Sequence, residues 1–222
     1  MGNKRVDLYS EVHKGIRREL CNWVGRFGRL NVENASDVAE SRQEFSVLMS
    51  LLKSHAKHEE AWVHPLLNAC VPEMSADLER EHGEHEARLA GVAAIFDRLF
   101  AGGSDDPWAM QQDLYRQFAN FNGHYLVHMA REENEAMAAL HEKHSDEELL
   151  NVTQQLRAAV APEEMGIFMS IMIPAMNLDE RGLMFGDLKE NAPEEVFSGM
   201  CGLASNVLDA DEWAAVCDRV EI

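Results

Sequence analysis

The stretch HAKHEEAWVHPLL, residues 55–67, sets His55, His58, Glu59 and Glu60 into six consecutive positions of what otherwise reads as a buried helix. Imidazole and carboxylate together are the donors that suit iron, manganese or zinc. The spacing His55-x-x-x-Glu59 returns as His128-x-x-x-Glu132. Side chains at i and i+4 leave one face of a helix a turn apart, so each pair can meet a single metal site. Burying carboxylates and imidazoles together without compensation is costly. A pair of metal ions supplies that compensation, with Glu59 and Glu132 as bridges and the imidazoles holding each ion.

Steps of three and four residues give one inward face for each of the helices that must position these groups. The first carries Val6, Tyr9, His13, Ile16, Leu20, Trp23, Phe27 and Leu30. After the polar break NVENASD, the second carries Phe45, Leu48, Leu52, His55, Glu59, Trp62 and Leu66, and Pro72 follows its end. The third, from about Ser75, carries Leu78, His82, His85, Leu89, Val92, Phe96 and Leu99, and stops at Ala101-Gly102-Gly103-Ser104. The fourth opens at Asp106-Pro107, a cap and first-turn proline, and carries Leu114, Phe118, Phe121, Tyr125, His128 and Glu132. Each stripe therefore holds an imidazole.

Short connections predict an all-α, antiparallel up-and-down four-helix bundle over residues 1–144, followed by a C-terminal helical extension over 145–222 that packs on it. Counted from the shared loops, His13 and His55 fall at one level, as do Glu59 and His82. His124 and His128 differ by one turn, about 6 Å of rise, and the count does not choose between them. His13, His55, Glu59, His82, His128 and Glu132 are the expected ligands. His85, His124 and Tyr125 are candidates for an extra ligand or for a group supporting the ligands. Glu60 and Glu133 read as facing solvent or forming ion pairs. His64 falls on the opposite side of its helix from His55, and His141 and His144 read as surface residues.

The formal charge of −19 and a pI near 4.8 exclude a nucleic acid or an anionic membrane as partner, since both demand a concentrated cationic face. Cys21, Cys70, Cys201 and Cys217 lie far apart with no C-x-x-C pair, as expected of reduced thiols in a cytoplasmic protein. The start MGNKRVDLYS has no apolar core of a signal peptide, and Val6 stands where acylation needs Ser or Thr. The apolar run MGIFMSIMIPAM, 165–176, is too short to span a bilayer and contains Pro174.

His13, the segment His55-x-x-x-Glu59-Glu60-x-x-x-x-Pro65, Glu81-His82, and His128-x-x-x-Glu132-Glu133 resemble the hemerythrin-like (HHE cation-binding) family. The resemblance implies a four-helix bundle enclosing two iron ions with an oxo or hydroxo bridge, manganese ranking behind iron. The four-histidine, two-glutamate set resembles iron–sulfur-cluster repair proteins and iron-sensing hemerythrin-like domains. Oxygen carriers of the family have five histidines, with His-x-x-x-His on the third helix, where this chain has His82-Gly83-Glu84-His85.

Residues 147–222 read as short helices, two opened by proline and acids at Pro162-Glu163-Glu164 and Pro193-Glu194-Glu195. Met165, Met169, Met172 and Met176 at helical spacing read as core rather than as a soft-metal row. These helices are expected to shield the site or to present a surface to a protein partner or a second copy. The function expected is that of a non-heme diiron metal-binding protein that binds or reduces dioxygen, nitric oxide or peroxide, with an oxidoreductase as one form of it, and the resemblance implies a role in iron–sulfur repair or stress defence. The alternative is an iron or oxygen sensor or store that acts through a partner without turnover.

Overall fold

A computed structural model describes residues 5–103 and 105–222. The first four residues, which figure in the reading of the N-terminus above, and Ser104 of the third helix's stop signal lie outside that range. The elements run α1 (Ser10–Arg29), α2 (Ala35–His58), a π turn (Glu59–Val63), α3 (His64–Cys70), α4 (Pro72–Phe100), α5 (Pro107–Arg131), a second π turn (Glu132–Ala136) and α6 (Met137–Lys143). Then follow α7 (Asp146–Ala159), α8 (Pro162–Met172), a 3-10 turn (Ile173–Ala175), α9 (Leu178–Asn191), α10 (Glu194–Val207) and α11 (Ala210–Val220). Among the described residues no single helix is long and apolar enough to cross a membrane.

Packing divides the chain into two compact units, the segment up to Ser10 with Glu19–Ala159, and Glu11–Arg18 with Val160–Ile222. The first holds the rods of the bundle: α1 from Glu19 onward, α2 continuing into α3, α4, and α5 continuing into α6. Capping sets the helix starts. The Asn34 side chain accepts from the amides of Ser36 and Asp37 to open α2. Asp106 accepts from Ala109 N at 2.9 Å to open α5, with Pro107 in its first turn. Gly102, at φ 66°, turns the chain out of α4.

Aromatic rings from all four rods meet at one end of this bundle. Phe27 of α1 stands 5.2 Å from Phe45 of α2, 5.3 Å from Phe96 of α4 and 5.0 Å from Phe118 of α5, each edge to face, and Trp23 packs beside it at 5.2 Å. Edge-to-face contacts of this kind add about 0.5–1.5 kcal/mol each to what burial alone contributes. The buried amide of Gln111 donates to the carbonyl of Phe27, tying α5 to α1.

Two π turns interrupt the helical periodicity, and they shift the second stripe. His64 N donates to the carbonyl of Glu59, five residues back, and Met137 N does the same to Glu132. Each turn thus holds one residue more than an α turn. Past Glu59 the buried positions are Val63 and Leu67, while Trp62 and Leu66 are only partly covered. The same shift turns His64 inward, where it is 1% exposed, instead of opposite His55. Pro65 lies inside α3, directly after the widened turn. There the proline ring avoids the carbonyl one turn back, with which it collides in a regular helix. The link to α4 is accordingly one residue, Val71, and α4 starts at Pro72 rather than Ser75.

In the second unit, Ile173, Phe185, Ala204, Leu208 and Val216 form the core. Arg181 is buried and gives hydrogen bonds to the carbonyl of Ile173 at 2.9 Å and to Glu212 at 3.0 Å. Asn177 and Glu180 close a reciprocal capping box at the start of α9. Gly15 of α1 meets the backbone of Ile171, where a Cβ would come within 3.1 Å.

Candidate metal centre

Glu59 and Glu132 are each the first residue of a π turn, and each lies one turn after a buried histidine. His55 Nε2 is 3.2 Å from Glu59 Oε1, and His128 Nε2 is 3.1 Å from Glu132 Oε1. His82 of α4 stands between the two carboxylates, its Nε2 3.4 Å from Glu59 and 3.7 Å from Glu132. One ligand atom from each of Glu59, His82, His128 and Glu132 lies within 4.8 Å of the others, and all four residues are buried. Measured from Val71, Glu59 is twelve residues before and His82 eleven after, so a one-residue link still brings them level.

Carboxylates behind the rings orient them. Glu60 Oε1 faces His82 Nδ1 at 3.0 Å, and Glu81 Oε2 faces His128 Nδ1 at 2.8 Å. Arg131 in turn donates to Glu81. An Nδ1–H donated to a carboxylate leaves Nε2 as the coordinating nitrogen and raises its basicity. Glu60 is half exposed and Glu81 follows no seam, so periodicity passes over both. Their adjacency to Glu59 and to His82 is the signal that finds them. We expect Glu81→Gln, which keeps the shape but removes the charge facing His128 and Arg131, to weaken metal affinity about 10–100-fold. Competition against a chromophoric chelator measures this, and an unchanged affinity would reduce Glu81 to a partner of Arg131.

Burial and the charge of Glu59 push Glu132 upward, but His128 and His82 outweigh them and hold it below the ordinary carboxylate range. Burial pulls His82 down, yet Glu132 and Glu59 lift it to about 10. His128 is likewise lifted against its burial by Glu132 and then Glu81. In the metal-free chain, protonated imidazoles therefore supply the positive charge that the carboxylates require. A divalent cation fits the same place, because it neutralises two ionised carboxylates and takes the imidazole nitrogens that released their protons. Metal loading at neutral pH should then release about one to two protons per chain, and affinity should rise with pH. Titration in two buffers of different ionisation enthalpy checks this; a pH-independent affinity would contradict it.

Two tyrosines line the same space. Burial, then the charges of Glu59 and Glu132, push the Tyr125 phenol well above its usual range, and Tyr9 shows the same shift from burial, Glu132 and Glu59. The Tyr125 hydroxyl is buried without a hydrogen-bond partner. Tyr9 entered the sequence reading only as a seam residue. His85 is buried, its ring 4.9 Å from those of Tyr125 and His128. Burial, then the neighbouring His128 and His82, push it down to about 3, so it is neutral. His64 stacks on His82 with ring centroids 5.4 Å apart.

His124 is exposed on α5 and is not brought to this cluster. His13 is fully buried on α1, in the stretch that packs with the second unit. The model of the hemerythrin HHE cation binding domain family matches residues 5–140. No curated protein and no solved structure matches the chain.

Proposed function

Because the chain belongs to the hemerythrin HHE cation binding domain family, we propose that its buried carboxylate–imidazole cluster holds two iron ions. There it binds or reduces a small oxidant: dioxygen, nitric oxide or a peroxide. The observation that carries this reading is the convergence of Glu59, His82, His128 and Glu132 within 4.8 Å in a buried space, with Glu60 and Glu81 behind the rings. His55 joins through Glu59, and His13 is assigned to the centre by its place in the sequence motif. Ferrous iron, when bound, supplies the electrons and an open coordination position for a small ligand.

The chain's own contribution is orientation and exclusion. Glu59 and Glu132 present their oxygens from the first residue of each π turn, a local form of helix that recurs at functional sites. His82 and His128 are held in one tautomer by carboxylates. Tyr125, with a buried hydroxyl, and neutral His85 can hydrogen-bond a small molecule that enters. Burial of all these groups favours diatomic ligands and peroxide over larger substrates. Iron–sulfur repair or stress defence, in the cytoplasm, is the cellular role that the ligand set suggests.

Elemental analysis of gently isolated protein is the test, with His55→Ala as control. Close to two irons per chain, with a large loss in the variant, supports the dinuclear reading. No bound metal after anaerobic reconstitution would sink it. Given metal, consumption of oxidant with a reductant present marks an oxidoreductase, and ligand-linked stability without turnover marks a sensor or store.

A further inference from the structure

Cys70 and His144 were read as an unremarkable thiol and a surface histidine, but the first unit brings them together. Cys70 ends α3 and His144 follows α6, the two short helices that continue beyond the π turns. Cys70 Sγ lies 3.5 Å from His144 Nε2. On the other side of the ring, His144 Nδ1 lies 3.7 Å from Glu148 Oε2. That carboxylate is fixed at the start of α7, accepting from Ser145 N at 2.8 Å and from Ser145 Oγ at 3.1 Å. The His144 backbone is pinned as well, its amide bonded to the carbonyl of Leu140 at 2.8 Å and its carbonyl to Arg5 at 2.8 Å. Its side chain is 19% exposed, and Cys70 is half-buried. None of the three residues is used by the metal centre.

Nε2 of His144 faces the thiol and Glu148 stands within ion-pair reach of the other ring nitrogen, the order of nucleophile, base and carboxylate used in covalent catalysis. We propose that Cys70, His144 and Glu148 form a second reactive site, in which the Cys70 sulfur attacks small electrophiles and hydroperoxides in particular. His144 Nε2 takes the thiol proton as the sulfur attacks the terminal oxygen of the hydroperoxide. The S–O bond forms as the O–O bond breaks. Sulfur is oxidised to a sulfenic acid, the hydroperoxide is reduced to the alcohol or water, and the leaving oxygen takes the proton from His144.

The test is competitive labelling of the full chain at neutral pH with substoichiometric iodoacetamide, read cysteine by cysteine by mass spectrometry. Exposed Cys21 is the reference within the same molecule. A parallel arm adds hydrogen peroxide with dimedone to trap sulfenic acid. Cys70 is expected to react about tenfold faster than Cys21 although it is less exposed. His144→Gln should bring it below Cys21, and Glu148→Gln, whose amide oxygen still accepts from Ser145, should lower it by a smaller factor. Labelling of Cys70 no faster than Cys21, or a ratio unmoved by His144→Gln, would overturn the proposal. Should His144→Gln lose helicity, Glu148→Gln decides alone, an unmoved ratio again overturning it.

Discussion

Glu132→Ala is expected to yield a folded, helical chain that no longer retains metal. Glu132 is fully buried and faces two imidazoles, His128 at 3.1 Å and His82 at 3.7 Å. Its removal takes away an oxygen donor and one of the two charges that make the space attractive to a cation. The loss of affinity should therefore exceed the roughly 10–100-fold typical of a residue one bond removed from the metal. The metal-free fold should survive. Once Glu132 is gone, His82 and His128 each lose one of the carboxylates that lift them, Glu59 and Glu81 still face them, and imidazoles that turn neutral are tolerated in a buried site. Glu132→Gln separates charge from shape, since it fills the same volume and should lose metal as well. Metal content by elemental analysis, alongside helicity by circular dichroism, checks both variants. Undiminished iron in Glu132→Ala would remove this residue from the centre.

Phe27→Ala should have the opposite profile, a large loss of stability with the metal kept. Its ring is fully buried and touches Trp23, Phe45, Phe96 and Phe118, so one truncation opens a cavity facing all four rods. Phenylalanine-to-alanine changes at such places cost about 3–5 kcal/mol. In a protein of this size that corresponds to a drop in Tm of roughly 10–15 °C. Phe27 lies fourteen residues beyond His13 on α1, about 21 Å of helix rise, and distant sites generally act independently. Iron per chain in the surviving folded protein should be unchanged. Thermal unfolding gives the first quantity and elemental analysis the second; a Tm within a few degrees of the parent would show that neighbouring rings refill the space.

Regular periodicity carried the sequence reading as far as it remained regular. Every stripe residue from Phe45 to Glu59 and from Leu114 to Glu132 is buried, because those stretches are uninterrupted α-helix. The order failed at the π turns, where the extra residue moved the buried positions from Trp62 and Leu66 to Val63 and Leu67 and brought His64 inward. A clue stands in the sequence: Pro65 falls inside the apolar pattern, where it would break a regular helix. Periodicity passes over Glu60 and Glu81 for another reason, although Glu60 is expected to face solvent or form an ion pair and Glu81 stands beside His82 in the family motif. A stripe selects side chains that point inward, whereas these two start off the stripe and reach their histidines from the flank. His124 and His128, one turn apart, could not be separated by counting. In the fold His128 stands against His82, with ring centroids 4.7 Å apart, while His124 is exposed.

The π turns also determine where this chain can change in length. Removing one residue from an uninterrupted α-helix swings every later side chain by about 100° around the axis and carries a buried stripe into solvent. Glu59–Val63 and Glu132–Ala136 each already hold a surplus residue. Taking out exposed Asn134, for example, would return an ordinary helix in which Ala136 and Leu140 each step back by one position, whereas the Glu59–Val63 turn must keep its extra residue to accommodate Pro65. The bundle can thus lose a residue at the second turn and still bury the same side chains, while a deletion elsewhere in that rod would misplace them. That surplus lies directly against Glu132, so the place most tolerant of a shorter chain adjoins one of the groups least tolerant of replacement.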